Sequence, residues 1–119
     1  MPNSYVLYSQ INSLEEFSFI AGTPFTLYFT VYEQDGTTLL DMGSGTFKWV
    51  LSPYGQNYNV LDVEGTITDV GKANVQLETA DTELLSGKYI HQPVIISFSG
   101  EKYRPSQGVV LIIPRTALN

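Results

Sequence analysis

The stretch that decides the fold is the last third of the chain, where two segments rich in β-branched residues flank a short polar turn. They read GKYIHQPVIISF at residues 87–98 and YRPSQGVVLIIP at residues 103–114. Such segments, joined by a turn that contains Gly100, predict a β-hairpin. A half-buried strand carries apolar residues at alternate positions only, yet both segments are apolar at both parities. The sequence therefore predicts a strand pair that needs cover on both faces.

Upstream of the hairpin, alternation of apolar and polar residues predicts further strands. The pattern is clearest at residues 25–32 (FTLYFTVY), and it returns at residues 46–52 (TFKWVLS) and 73–78 (ANVQLE). Residues 3–11 predict a short strand or an extended arm. Two interpretations stay open for residues 13–19: Ser13 and Glu16 match a helix capping box, whereas the alternation from Phe17 to Phe19 favours a strand.

Many short strands separated by turn signals, with no long helical period, are typical of a β-sandwich. We therefore expect an all-β, immunoglobulin-like antiparallel β-sandwich of about seven to nine strands, with one short helical turn near residues 80–86. Residues 1–22 should form an N-terminal arm or edge strand, residues 23–114 the sandwich, and residues 115–119 a tail. The strands at 25–32 and 73–78 should share one sheet, and the Trp49 strand and the hairpin should share the other.

Composition restricts the classes of function. The 119 residues fit one domain, and the absence of Cys excludes disulfides, thiolate nucleophiles and Cys-based metal sites. A formal net charge of −6 argues against binding to a phosphate backbone. The start of the chain lacks the basic and apolar regions of a signal peptide, and no stretch is long enough for a transmembrane helix. We therefore expect synthesis in the cytoplasm, with no nucleic-acid partner and no membrane insertion.

Catalytic chemistry is not readable from the residues. The single His, His91, lies mid-strand without a Ser and Asp pair that would suggest a triad, and it predicts a hydrogen-bonded sheet residue. The acidic residues of the loops show no metal-binding spacing. The sequence thus predicts a protein that is not an enzyme, with no catalytic residue, metal ligand or cofactor.

The outer face of the second predicted sheet is the candidate interface, because it is far more apolar than a solvated face should be. The residues assigned to it are Val50, Ile90, Val94, Ile96, Val110 and Ile112. Three kinds of cover stay open: the N-terminal arm of the same chain, a second subunit, or an arm exchanged between subunits.

Exposed tyrosines suggest an alternative function. Aromatic rings on a sheet surface can stack on sugar rings, so a carbohydrate-binding module is the second hypothesis. The candidate stacking residues are Tyr28, Tyr32, Tyr54 and Tyr58.

Several segments, taken in order, resemble a known family. They are FxLxFxVxExDG at residues 25–36, GTFKWVL at 45–51, GxY at 87–89 and GxxYxPxxG at 100–108. This order resembles the immunoglobulin-like domain of tailed-phage structural proteins, notably the N-terminal domain of baseplate upper proteins. The resemblance implies a phage or prophage virion protein of the tail, baseplate or neck, assembled in the host cytoplasm. Its expected partners are other copies of itself, other virion proteins, or both.

Overall fold

The computed structural model of the protein describes residues 3–9, 16–33 and 35–115, and for residues 3–9 it describes the backbone alone. These residues form ten strands and one short helix. In chain order the elements are β1 (Asn3–Ser9), β2 (Phe17–Ile20), β3 (Phe25–Val31), β4 (Thr46–Pro53), β5 (Leu61–Glu64), β6 (Thr66–Asp69), β7 (Lys72–Leu77), α1 (Thr79–Thr82), β8 (Gly87–Ile96), β9 (Lys102–Tyr103) and β10 (Gly108–Ile113).

The strands form two packed sheets. The first sheet has the order β1-β3-β7-β6, and the second has the order β2-β10-β8-β4-β5, with β9 also paired to β8. The predicted all-β sandwich is confirmed, and so is the assignment of the main strands to the two sheets. The described strands number ten rather than seven to nine because short strands occur at the sheet edges.

The core lies where the predicted alternations meet. Phe29 of the first sheet and Phe47 of the second face each other with ring centroids 5.2 Å apart. Trp49 on β4 and Val75 on β7 are fully buried. Because successive side chains of a strand point to opposite faces, burial of one parity leaves the other parity outside. The inward residues of β3, β4 and β7 are therefore those that alternation predicts.

The C-terminal hairpin is confirmed, but with an irregularity that changes its inward residues. Ile95 on β8 pairs with Tyr103 on β9, whereas His91 pairs with Gly108 on β10. Between these two pairs the chain has three residues on β8, residues 92–94, and four residues on the opposite segment, residues 104–107. One extra residue of this kind is a bulge, and it reverses the parity of everything after it.

The placement of Val110 and Ile112 on the outer face is therefore wrong. Val110 pairs with Tyr89, which faces the core, and the exposed fractions of Val110 and Ile112 are 0% and 2%. The outward residues of β10 are instead Leu111 and Ile113, together with the half-buried Val109.

The N-terminal segment contributes an edge strand to each sheet. β1 pairs in parallel with β3 in the first sheet, and β2 pairs in parallel with β10 in the second. Residues 17–20 are thus a strand, as their alternation favours, whereas Ser13 lies outside the described residues. Since β1 lies within the first sheet, cover of the second sheet by residues 3–9 of the same chain is wrong.

A single glycine carries the chain from one sheet to the other. Gly65 is the only residue between β5 of the second sheet and β6 of the first. A Cβ at this position would lie 2.5 Å from the carbonyl oxygen of Asn74 and 2.8 Å from a methyl carbon of Val75. The close approach of the two sheets at this corner therefore requires Gly.

The short helix predicted near residues 80–86 is present as α1. Its start is stabilised by the Asp81 carboxylate, which accepts a hydrogen bond from the backbone N–H of Glu78 at 2.7 Å. The helix connects β7 of the first sheet to β8 of the second.

Candidate functional site

The outer face of the second sheet is apolar in the structure, although not through the full predicted set. Of the predicted residues, Val50 and Val94 are outward but mostly covered by their neighbours, at 8% and 6% exposure. Ile90 and Ile96 are outward and half-buried. The outer face of the first sheet differs, because β3 and β7 place Thr26 and Gln76 there.

The most exposed apolar side chains of this face lie together at the β2–β10 edge. Ile20, Leu111 and Ile113 are 52%, 44% and 48% exposed, and we call these three residues the docking patch. Ile113 lies directly beside Ile20 across the parallel pair, and Leu111 lies beside Lys88 on β8. The three side chains therefore form one continuous surface rather than scattered exposed residues.

A second feature of the same face is a groove of about 620 Å³ over β4 and β8, which we call the amide groove. Its apolar floor consists of Val50, Ile90 and Val94. Its polar walls come from the β4–β5 loop on one side and from β8 and the bulge on the other. The wall residues are Ser52, Tyr54, Gly55, Gln56, Asn57, Asn59, Gln92, Arg104 and Gln107.

Hydrogen bonds hold the walls of the groove in place. The backbone N–H of Tyr54 donates to the carbonyl oxygen of Lys88 at 3.1 Å, and the Ser52 hydroxyl donates to the Gln56 carbonyl oxygen at 3.1 Å. The Lys88 ammonium also lies 4.1 Å from the centroid of the Tyr54 ring, within the range of a cation–π contact. The β4–β5 loop is therefore tied to both β4 and β8.

The opposite wall is built by the bulge. The side-chain amide of Gln92 donates to the amide oxygen of Gln107 at 3.4 Å. A smaller cavity of about 230 Å³ also borders this pair and is lined by Arg104, Ser106 and their neighbours. Gln92, Arg104 and Gln107 line both cavities, so they stand between two adjoining spaces.

The four predicted sugar-stacking tyrosines are divided between the sheets. Tyr28 is 43% exposed on the outer face of the first sheet, and Tyr32 is half-buried just beyond β3, where it bridges to Leu39. Tyr54 and Tyr58 lie in the β4–β5 loop of the second sheet, at 53% and 56% exposure. Of the four, Tyr54 lines the amide groove.

His91 is a core residue. Its ring is fully buried, and Nδ1 accepts a hydrogen bond from Trp49 Nε1 at 3.3 Å. The Phe17 ring meets the imidazole edge-on, with centroids 5.1 Å apart. The prediction that His91 is a hydrogen-bonded sheet residue is confirmed.

The acidic residues are spread over loops and regular elements: Asp35 and Asp41 follow β3, whereas Asp62 and Glu64 lie on β5 and Asp69 ends β6. Among residues 16–33 and 35–115, no three His, Asp or Glu side chains come together as a metal-binding group. Side-chain and backbone hydrogen bonds from Thr38 lower the pKa of Asp35 from 3.8 to about 2. Thr37 adds a backbone N–H at 2.9 Å, so this carboxylate organises the loop after β3.

No protein-family model matches the chain, and none of the curated proteins matches it at a significant level. The described residues contain one helix, the four-residue α1, and it is too short to cross a membrane.

The sequence does contain local signals for the bulge and for the walls of the amide groove, which the alternation of apolar and polar residues did not predict. Pro105 and Gly108 interrupt the return strand, and Pro within a strand pattern is typical of a bulge or an edge. Residues 56–59 form an amide-rich run between two strands. The amide residues of the opposite groove wall, Gln92 on β8 and Gln107 in the bulge, are 33 to 51 residues away in sequence.

Proposed function

We propose that this chain is a non-enzymatic phage or prophage virion protein of the tail, baseplate or neck, an immunoglobulin-like domain that self-associates through the outer face of its second sheet. The observation that carries the docking role is the docking patch. Extended contiguous apolar surfaces on soluble proteins mark protein contacts, and this patch lies on a sheet face that carries further apolar residues.

The contrast between the two sheets supports an interface on one of them. Ile20, Leu111 and Ile113 are each about half exposed on the second sheet, whereas the outward positions of β3 and β7 carry Tyr28 among residues with hydroxyl and amide groups, such as Thr26 and Gln76. Burial of the exposed half of a Leu or Ile side chain contributes about 1 kcal/mol. Three such residues on each of two partners can therefore contribute about 6 kcal/mol, which offsets part of the translational and rotational freedom lost on association.

The strand order supports the immunoglobulin-like part of the proposal. If β1, β3, β4, β5, β6, β7, β8 and β10 are lettered A, B, C, C′, D, E, F and G, the sheets read ABED and GFCC′, an order that resembles the immunoglobulin arrangement with β2 as an added edge strand. Strand C of that fold carries a buried Trp, and Trp49 lies on β4. The parallel pairings of β1 with β3 and of β2 with β10 are departures from two purely antiparallel sheets.

A second hallmark of the fold is a tyrosine near the start of strand F whose hydroxyl bonds to the backbone just upstream. The Tyr89 hydroxyl donates to the carbonyl oxygen of Ser86 at 3.1 Å and accepts from its N–H at 3.3 Å. In antibody domains a disulfide cysteine follows two residues later and packs against the Trp. Here that position is His91, which contacts Trp49 instead.

The virion role is supported by the ordered motifs that resemble tailed-phage structural proteins. They include the GTFKWVL segment of β4 and the GxY start of β8, two strands that pair with each other in the second sheet. A domain built for assembly needs a contact surface rather than a reactive centre, which is what the docking patch offers.

The experiment is light scattering coupled to size-exclusion chromatography at micromolar concentrations, with Leu111→Glu as the test variant. The new carboxylate would lie directly opposite Lys88, so the fold should tolerate it. The matched control is Val70→Glu, because Val70 is 47% exposed in the β6–β7 turn, away from the patch.

We expect the wild-type protein and the Val70→Glu variant to associate, and the dissociation constant of Leu111→Glu to rise at least about tenfold, since an apolar contact is replaced by a desolvated charge. A wild-type protein that stays monomeric at every concentration, or equal association of the two variants, would rule out the patch as the interface.

A further inference from the structure

We propose that the amide groove binds an acidic saccharide, meaning a sugar chain that carries a carboxylate. This site is separate from the docking patch and does not depend on the self-association proposed above. The inference rests on the chemistry of the walls, on the position of the groove over a sheet face, and on its charge.

The walls concentrate groups that match sugar hydroxyls. Five of the twelve Asn and Gln side chains in the sequence line this one groove: Gln56, Asn57, Asn59, Gln92 and Gln107. A side-chain amide both donates and accepts hydrogen bonds, as a hydroxyl group does. A surface of this composition can therefore satisfy several hydroxyl groups of a ligand at once.

The position of the groove favours a saccharide over an extended peptide. Peptides that bind to sheets commonly pair with the main chain of an exposed edge strand. The groove lies instead over β4 and β8, and each of these strands has a paired strand on both sides. Recognition here must come from side chains, which suits hydroxyl groups better than a peptide backbone.

The floor and Tyr54 provide the apolar contact that sugar rings need. The accessible apolar surface belongs mainly to Tyr54, which is 53% exposed, and to the half-buried Ile90, because Val50 and Val94 are only 8% and 6% exposed. Sugar rings have faces of C–H groups, which pack on apolar and aromatic surfaces. The volume of about 620 Å³ is within the usual range for small-molecule sites, and the adjoining cavity of about 230 Å³ allows the chain to continue.

Charge selects an acidic ligand. The chain has 12 Asp and Glu residues and a net charge of −6, yet none of the described residues lining the groove is acidic. Arg104 carries the one formal charge of that lining, and the Lys88 ammonium lies close by over Tyr54. An arginine fork binds a carboxylate through two parallel hydrogen bonds, so we place the acidic group of the ligand at Arg104.

The test is an array of oligosaccharides that carry uronic or sialic acids, each printed beside the neutral oligosaccharide of the same linkage. The strongest acidic ligand is then titrated by calorimetry against the wild type, Arg104→Gln and Arg115→Gln. The last is a matched control, because Arg115 is exposed, lies outside the groove and loses the same charge. Both arginines are exposed, so neither change should alter the melting temperature.

We expect acidic oligosaccharides to bind at least about tenfold more tightly than their neutral counterparts, because a charge-assisted pair is lost without the carboxylate. Arg104→Gln should abolish this preference, and Arg115→Gln should keep it. In an NMR titration the amide signals of Val50, Tyr54 and Gln92 should shift, whereas that of Gln76 on the first sheet should not.

Three results would overturn the proposal: no acidic oligosaccharide binds at millimolar concentration, Arg104→Gln binds as Arg115→Gln does, or peptides with a free carboxylate bind where no saccharide does. Ile113→Glu, which changes a docking-patch residue that pairs with Ile20 rather than with Lys88, should weaken self-association and leave saccharide binding unchanged. Failure of self-association and failure of sugar recognition are therefore distinguishable.

Discussion

Trp49 and His91 form a polar pair within an otherwise apolar core, and a double-mutant cycle can measure what that pair contributes to stability. Both side chains are fully buried, and Trp49 Nε1 donates to His91 Nδ1 at 3.3 Å. The variants are Trp49→Phe, His91→Leu and the combination of the two. His91→Leu removes the acceptor and leaves the Trp49 N–H in a site from which water is excluded.

The structure sets the expected size of the coupling. A buried donor that loses its partner costs about 1–3 kcal/mol because water cannot replace it. Both atoms are uncharged nitrogens and their separation is 3.3 Å, so this is a long, weak hydrogen bond and the lower end applies. We expect a coupling free energy of about 1 kcal/mol, with the double variant less destabilised than the sum of the single variants.

The assay is urea unfolding followed by far-UV circular dichroism at neutral pH, because Trp49 is the only Trp and fluorescence would be lost with it. In a domain of this size 1 kcal/mol corresponds to about 4 °C in melting temperature. Other contacts of His91 are lost in both the single and the double variant, so they cancel in the cycle. Additivity within about 0.5 kcal/mol would refute the view that this hydrogen bond stabilises the core.

Three further predictions concern the stability of the fold and of the loop after β3. Gly65→Ala should lower the free energy of unfolding by about 1–3 kcal/mol in urea titrations, since its Cβ would meet the Asn74 carbonyl oxygen at 2.5 Å. Tyr89→Phe should lower the melting temperature by about 4 °C in a thermal scan, because it removes the hydrogen bonds to the backbone three residues upstream. The hydrogen bond from the Thr38 hydroxyl is the largest cause of the lowered pKa of Asp35. The ionised Asp35 carboxylate therefore stabilises the loop above pH 3.8, and this stabilisation is lost as the pH falls through about 2. Thr38→Val should raise this pKa towards 3.8 in a carboxyl NMR titration.

Local alternation was sufficient to predict most of the sandwich. Phe29, Trp49 and Val75 lie on strands whose two faces differ in polarity, and such strands can be oriented without knowledge of their neighbours. The division of these strands between two sheets followed from the strand arrangement expected of an immunoglobulin-like sandwich. Prediction of the short helix depended on the polar residues before it and the glycine after it, which are also local signals.

Long-range pairing could not be predicted in this way. The parallel pairing of β1 with β3 joins segments whose order in the chain gives no sign of direction. The amide groove combines residues 52–59 with Gln92, Arg104 and Gln107, which meet only because β4 pairs with β8 and the bulge folds back beside them. Alternation describes the two faces of one strand, and a site built from several strands depends on their register.

The bulge at residues 104–107 determines both surfaces of the second sheet. If the register of β9 had continued into β10, Val109 rather than Val110 would pair with Tyr89. Leu111 and Ile113 would then be buried, and there would be no docking patch at this edge. The same extra residue belongs to the segment that provides Arg104 and Gln107 to the groove wall. Because both parities of the strand are apolar, either register could bury a suitable set of side chains, and the number of residues in the bulge decides which set faces outwards.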